Sequence, residues 1–204
     1  MNNNHIHLAS FPRSGNKFAQ QILHHVFGLK CRSIYPVPEY SDEIAPTWDG
    51  IEQDVIVKNH ELWSSGCAIY IVRDPRDVYC SYAKYQSHVQ QRLVTPEELI
   101  RSTSWSEHVL SWQQPSVHVV KYEDLLRDPI AIMKAVCERL TIAVTQIGTI
   151  PMWTQLHADC PWYYQRGDSG RWRTELTKSE IALCEAKNHA CMKTFGYVSQ
   201  EISD

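Results

Sequence analysis

Short apolar runs alternate with longer amphipathic stretches along this chain, and helix starters, glycines and prolines separate them. His5 to Ser10, Asp54 to Lys58, Cys67 to Val72 and Val117 to Lys121 are short, rich in β-branched residues and bounded by breakers, which predicts buried strands. Arg32 to Tyr35 predicts a further short strand, ahead of a proline-rich loop through Trp48. Lys17 to Phe27 predicts a helix closed by Gly28 at the C′ position. In Asp74-Pro75-Arg76-Asp77 an aspartate takes the N-cap, proline the first helical position and a second aspartate the third, a strong helix start. Thr95-Pro96-Glu97-Glu98 repeats that logic and opens a helical region running toward Trp112, which Pro115 stops. Asp128-Pro129 starts a helix reaching about Leu140. Thr177-Lys178-Ser179-Glu180 is a capping box before a last amphipathic helix that ends near Gly196.

Strands that alternate with helices predict an α/β fold, with a central, mostly parallel sheet covered by helices on both faces. No repeat, low-complexity tract or linker divides the 204 residues, so 1–204 is expected to form one domain with a sizeable core. In such sheets ligands bind outside the carboxyl ends of the strands, so chemistry is expected in the residues just after them.

Composition narrows the partners. Charged residues make up 21% and hydrophobic ones 43%, as in ordinary globular proteins, and the formal net charge is −3. No global basic field exists to attract nucleic acid or an anionic membrane, so neither is an expected partner and any anion site must be built locally. The N-terminus, Met1-Asn2-Asn3-Asn4-His5-Ile6-His7, does not read as a secretory signal, and no apolar stretch is long enough to span a bilayer. The seven cysteines are scattered without a CxxC pair, which predicts reduced thiols and a cytoplasmic location. His157 with Cys160, and Cys184, His189 and Cys191, lack the second well-spaced pair that a structural metal needs, so no metal is expected. Cys184 and Cys191 read instead as one buried helix face.

Four segments carry candidate chemistry, and each falls where a strand ends or a glycine turns the chain. Phe11-Pro12-Arg13-Ser14-Gly15-Asn16-Lys17 joins the first strand to the first helix. Gly15 permits a tight turn, the following amides point at any anion, and Arg13, Ser14, Asn16 and Lys17 add side-chain donors. A Walker A loop needs a second glycine and Gly-Lys-Ser/Thr; this loop has one glycine, which disfavours nucleoside triphosphate chemistry. In Val72-Arg73-Asp74-Pro75-Arg76-Asp77-Val78-Tyr79-Cys80-Ser81, Arg73 ends a strand and Ser81 follows eight residues later, so a guanidinium and a hydroxyl can meet one phosphate. Asp74 and Arg76 read as helix capping with a solvated arginine. Val57-Lys58-Asn59-His60 ends another strand with a histidine able to take a proton at neutral pH. Gln165-Arg166-Gly167-Asp168-Ser169-Gly170-Arg171-Trp172-Arg173 holds two glycines and three arginines, as a flexible clamp over an anion or as a plain surface turn.

Taken in order, these segments resemble the sulfotransferases that use 3′-phosphoadenosine-5′-phosphosulfate (PAPS). The first resembles that family's 5′-phosphosulfate loop, the second its 3′-phosphate motif, the third its Lys-Thr-His and the fourth its Arg-Lys-Gly-x-x-Gly segment, continuing through Thr174, Glu175, Leu176 and Thr177. Ser104-Trp105-Ser106-Glu107-His108-Val109 and Lys121-Tyr122-Glu123-Asp124-Leu125 are lesser matches. The resemblance implies a phosphate-binding loop after the first strand of a single-domain, P-loop-like three-layer sandwich. It implies PAPS as co-substrate without a metal, and in-line transfer of a sulfuryl group to a hydroxyl or amine of a small acceptor. His60 would be the base, and Arg13 and Lys17, with Lys58 nearby, would stabilise charge on the sulfuryl oxygens and the leaving 5′-phosphate. Arg73, Ser81, Arg166 and the Gly167 amide would hold the 3′-phosphate, and Phe18 with Tyr122 would stack on adenine.

Lys17, Phe18, Asn59, Gln165 and Arg171 depart from the family pattern. Candidate acceptor-pocket aromatics are Tyr35, Trp48, Trp63, Tyr82, Tyr85 and Trp162, which suit an apolar or aromatic acceptor. Two other readings stand beside this one. A P-loop nucleotide kinase predicts magnesium dependence but lacks its Gly-Lys-Ser/Thr, and a silent nucleotide-binding module would keep the Arg73 and Ser81 contacts without transfer. The residues do not specify an oligomeric state.

Overall fold

A computed structural model describes residues 6–35, 56–152, 154, 157–158, 162–165 and 167–198. Five strands form one parallel sheet in the order β2-β3-β1-β4-β5: β1 Ile6–Ser10, β2 Cys31–Ser33, β3 Ile56–Asn59, β4 Cys67–Val72 and β5 Val117–Lys121. β1 lies in the middle, pairing Ile6 with Ile56 of β3 on one side and with Cys67 of β4 on the other. Because the sheet is parallel, the carboxyl ends of β1, β3, β4 and β5 all open on one edge.

Alternation along the strands divides the core into two layers. Leu8, Ile56, Ile69, Ile71 and Val120 pack with Ala19, Ile22, Leu23, Leu125 and Met133. These helical residues belong to α1 Asn16–Gln21 with its π-helical continuation Ile22–Val26, to α5 Tyr122–Arg127 and to α6 Pro129–Arg139. Ala9, Ala68, Tyr70 and Val72 face the opposite way, against Val78, Tyr79, Ile100, Trp105, Val109, Cys184 and Cys191. That second layer comprises α2 Pro75–Gln90, α3 Pro96–Ser102, α4 Trp105–Ser111 and α8 Lys178–Thr194; a single turn, α7 Trp172–Glu175, precedes α8. A sheet buried on both faces explains why the strands read as nearly continuous apolar runs.

The helix starts follow their caps. Asp74 Oδ1 accepts the Arg76 amide at 3.0 Å, the Thr95 hydroxyl accepts the Glu98 amide at 3.2 Å, and Asp128 accepts the Ala131 amide at 3.2 Å. Thr177 and Glu180 form the reciprocal capping box. Gly28, at φ 67, closes the first helix. One expectation needs correction. The helical region from Pro96 to Trp112 is two helices, because Thr103 is extended and the Ser104 hydroxyl caps a new start by accepting the Glu107 amide. Between β5 and the Asp128 cap, Tyr122–Arg127 is also helical and follows Lys121 without a side-chain cap. Asp54, Trp48 and Cys160 lie outside the described residues. Among the described residues, no group of three or more His, Cys, Asp or Glu could hold a metal ion, and no helix is long and apolar enough to cross a membrane.

Candidate active site

Chain segments leaving β1, β3, β4 and β5 line one cavity of about 750 Å³, a size suited to a nucleotide with a small acceptor. Of the residues singled out in the sequence, Arg13, Gly15, Asn16, Lys17, Phe18, Lys58, His60, Arg73, Ser81, Tyr122 and Gly167 are on its wall. Ser14 is buried behind the wall, and its hydroxyl has no hydrogen-bond partner among the described residues. Arg166 lies outside the described residues. The sequence had not pointed to Gln21, Gln86, Ile150, Pro151, Tyr163 or Tyr164, which also line the cavity. They come from the flanks of two helices, α1 and α2, and from two segments without a recognisable motif.

The loop after β1 is shaped by two left-handed residues, Arg13 at φ 68 and Gly15 at φ 102. Gly15 is required for space as well, since a Cβ there would fall 2.3 Å from the Tyr122 ring. Asn16 is structural as much as polar: its amide donates to the carbonyls of Leu8 at 3.0 Å and Asn59 at 3.4 Å, tying the loop to β1 and β3. Lys17 donates to Gln20 at 3.3 Å. Arg13 is bonded to Ser81 and to the chain near Tyr163. Its Nε donates to the Ser81 hydroxyl at 3.2 Å, its Nη2 to the Tyr163 carbonyl, and the guanidinium lies between the Tyr85 and Tyr163 rings. Burial lowers its pKa, with Tyr163 and Tyr85 pulling the other way and Arg73 adding to the fall.

Arg73, at the end of β4, is buried against the face of Tyr122, 4.5 Å from the ring centre. It donates to the carbonyls of Arg13 and Asp168, while its Nε has no partner among the described residues. A buried guanidinium N–H left unsatisfied is costly, so the surrounding protein does not by itself complete the hydrogen bonding of Arg73. Phe18 and Tyr122 meet edge to face at 6.4 Å, leaving aromatic surface at the same end of the cavity.

His60 stands just past β3. Its Nδ1 lies 2.7 Å from the Ser10 carbonyl, which only accepts, so Nδ1 carries the proton and Nε2 is the basic nitrogen. Its backbone is held from two sides: the His60 amide donates to the Tyr35 hydroxyl at 2.9 Å, and His108 Nε2 donates to the His60 carbonyl at 2.9 Å. Because that carbonyl only accepts, His108 carries its proton on Nε2, and its Nδ1 accepts from the Tyr70 hydroxyl at 2.8 Å. The Tyr35 ring stacks on the imidazole, 5.6 Å between centres. Burial, then the charge of Lys58, pushes the His60 pKa down to about 3, so the imidazole is neutral at pH 7.

Tyr35, Tyr82, Tyr85 and Trp162 line the cavity as expected of acceptor-pocket aromatics, and Trp162 stacks on His88 at 4.2 Å. Trp63 does not: it packs on the core of the α2–α4 layer. Within the glycine- and arginine-rich segment two of the three arginines are described, and each has a partner. Arg171 is buried and paired with Glu175 at 3.0 Å, and Arg173 lies on the Trp172 ring. Gln165 bridges Arg171 to the Ser81 carbonyl. Arg76, expected to be solvated, is buried between Asp74 and Glu185 with its guanidinium 3.8 Å above the Trp172 ring centre.

A parallel sheet with a left-handed loop after its central strand, and cations converging where four strands end, defines an α/β protein built to bind a phosphorylated ligand. The sulfotransferase domain model matches residues 3–159, and the chain belongs to the sulfotransferase family. A comparison with curated protein sequences found no match. Among solved structures, mouse sulfotransferase SULT7A1 complexed with PAP is 18% identical with a TM-score of 0.73, covering 98% of this chain and 90% of that one. Retinol dehydratase in a complex with retinol and PAP is 16% identical with a TM-score of 0.61, over 95% of this chain and 82% of that one. Retinol dehydratase in complex with androsterone and inactive cofactor PAP is 15% identical with a TM-score of 0.59 and the same coverage. At such identities these likenesses concern the fold.

Proposed function

We propose that the chain transfers a sulfuryl group from PAPS to a hydroxyl or amine of a small acceptor, with His60 as the general base. One observation carries this reading: His60 and a buried, incompletely satisfied Arg73 share a cavity with Arg13, Lys17, Lys58, Ser81 and Tyr122. The donor set fits a doubly phosphorylated adenosine. The 3′-phosphate goes to Arg73 and Ser81, the adenine to Phe18 and Tyr122, and the phosphosulfate to the loop around Gly15. That phosphate alone brings close to two negative charges, which gives a buried cluster of cations its reason in an acidic chain.

His60 Nε2 takes the acceptor proton as the acceptor atom bonds to sulfur; the sulfur–oxygen bond to the 5′-phosphate breaks and its electron pair leaves with the phosphate. Lys17 and Lys58 offset negative charge on the sulfuryl oxygens and on that leaving oxygen. Fixed positive charge and positioning supply most of the rate. The low pKa of His60 keeps it in its basic form, and a dianionic donor beside it counters Lys58 and Arg13, two of the causes of that depression. The mouse and retinol dehydratase structures named above contain PAP, the desulfated form of PAPS, which supports the choice of nucleotide.

The test is transfer of labelled sulfate from PAPS to a panel of phenols, alcohols and amines in the absence of magnesium. Transfer is expected, and His60→Ala is expected to lower turnover by about 10²–10⁴-fold without weakening adenosine 3′,5′-bisphosphate. Unchanged turnover with a high-pKa acceptor removes His60 from the role of base. Binding of the bisphosphate with no transfer to any acceptor makes the chain a silent nucleotide binder.

A further inference from the structure

Asp77 occupies the third position of α2, where its sequence context predicts a helix-start acid. Its carboxylate does something else. The side chain is fully buried and accepts the Gly170 amide at 2.6 Å, the Trp172 amide at 3.0 Å and the Ser169 hydroxyl at 3.3 Å. The Arg73 guanidinium stands 4.0 Å away. One carboxylate thus faces both the strand-end arginine of the nucleotide cavity and a loop more than ninety residues later in the chain.

The same loop is held at its other end in the opposite sense. The Gly167 carbonyl accepts from the Tyr122 hydroxyl at 3.0 Å, and the Asp168 carbonyl accepts from Arg73 Nη2 at 2.7 Å. Carbonyls at the start of the loop therefore meet donors of the cavity wall, while amides at its end meet the carboxylate. This polarity gives each end of the loop its own set of partners in the observed register. Hydrogen bonds to a buried carboxylate are strong, and here they converge on a segment rich in glycine.

We propose that Asp77 is a positioning residue for the nucleotide site: it holds the loop of residues 167–172 in register, so that the loop keeps Arg73 turned to the 3′-phosphate. The proposal rests on the nucleotide reading above. It separates two effects that a general loss of stability would merge. Adenosine 3′,5′-bisphosphate uses Arg73 through its 3′-phosphate, whereas AMP does not.

Isothermal titration with both nucleotides on wild type, Asp77→Ala and Asp77→Asn tests this. Asp77→Ala is expected to weaken the bisphosphate about ten- to hundredfold, the scale of one hydrogen bond to a charged group, and to leave AMP nearly unchanged. Asp77→Asn keeps the size and one accepting oxygen, so it should recover part of that loss. Hydrogen exchange at the Gly170 and Trp172 amides should accelerate in Asp77→Asn, and this readout stands even if Asp77→Ala does not fold. Equal weakening of both nucleotides, or unchanged exchange at those amides, overturns the role given to Asp77. Wild-type protein that binds the two nucleotides alike overturns the nucleotide reading instead, while the exchange rates still decide whether Asp77 holds the loop.

Discussion

Replacing Gly15 by alanine puts the donor loop to its sharpest test. Gly15 has φ 102, a conformation that L-residues rarely adopt, and an alanine held there costs about 1–2 kcal/mol. The new Cβ would also sit 2.3 Å from Cδ2 and 2.6 Å from Cε2 of Tyr122. That ring has little freedom to retreat. Its hydroxyl is bonded to the Gly167 carbonyl, Arg73 lies across its face, and Phe18 meets its edge. Overpacking of this kind costs about 1–3 kcal/mol, so the total expected loss of stability is about 2–5 kcal/mol. Denaturant unfolding of wild type and Gly15→Ala reads it directly, and the bisphosphate should bind more weakly in the variant. The clash and the backbone strain can be separated by adding Tyr122→Ala, which removes only the first; the pair should then be less damaging than the sum of the singles. A variant within about 0.5 kcal/mol of wild type, the range of ordinary surface changes, would refute both the left-handed turn and the placement of Tyr122 against it.

Other consequences can be measured independently. Arg76→Ala strands the Asp74 carboxylate, which is bonded to Arg76 at 2.7 Å in a buried setting, and should cost about 3–5 kcal/mol in urea unfolding; a loss under 1 kcal/mol would mean the pair is solvated. The fold should also lose stability as pH falls from 7.5 toward 5. Burial depresses His60 to about 3 and lowers His108 below the usual 6.5, so below 6.5 the unfolded chain binds protons that the folded one refuses. Glu123 works in the opposite sense, because burial raises its pKa above 4.5. A melting temperature that is flat between pH 7.5 and 6 would contradict the buried neutral histidines.

The elements carrying strong local signals were legible from residues alone. Asp74-Pro75 and Thr177 to Glu180 start helices where they should, because a cap and its amide lie within one turn and need no distant partner. Cys67–Val72 was legible because a strand buried on both faces is apolar throughout. The break at Thr103 was missed although Ser104 and Glu107 have capping-box spacing; the apolar positions on both sides continued the helical period and hid it. Within the site, residues that follow strands were readable because parallel sheets collect their ligands there. Asp77, Tyr163 and the Tyr70–His108 pair were not, since each acts through partners distant in sequence. Asp77 in particular carries the local signature of a helix start, and only tertiary structure reveals that its carboxylate is used elsewhere. Trp63 failed for the converse reason: an aromatic residue near the base can as well pack against the core, and it does so partly buried.

The Arg13 guanidinium meets the Tyr163 carbonyl across 150 residues of chain, and Arg73 meets the Asp168 carbonyl across 95. During synthesis all five strands emerge before either carbonyl exists. The chain up to residue 140 therefore holds all five strands and still lacks the roof of the cavity. In the nucleotide reading, affinity for the donor is acquired late, after the strands that support it, and a stop near residue 140 would remove the roof together with the final helix that covers one face of the sheet.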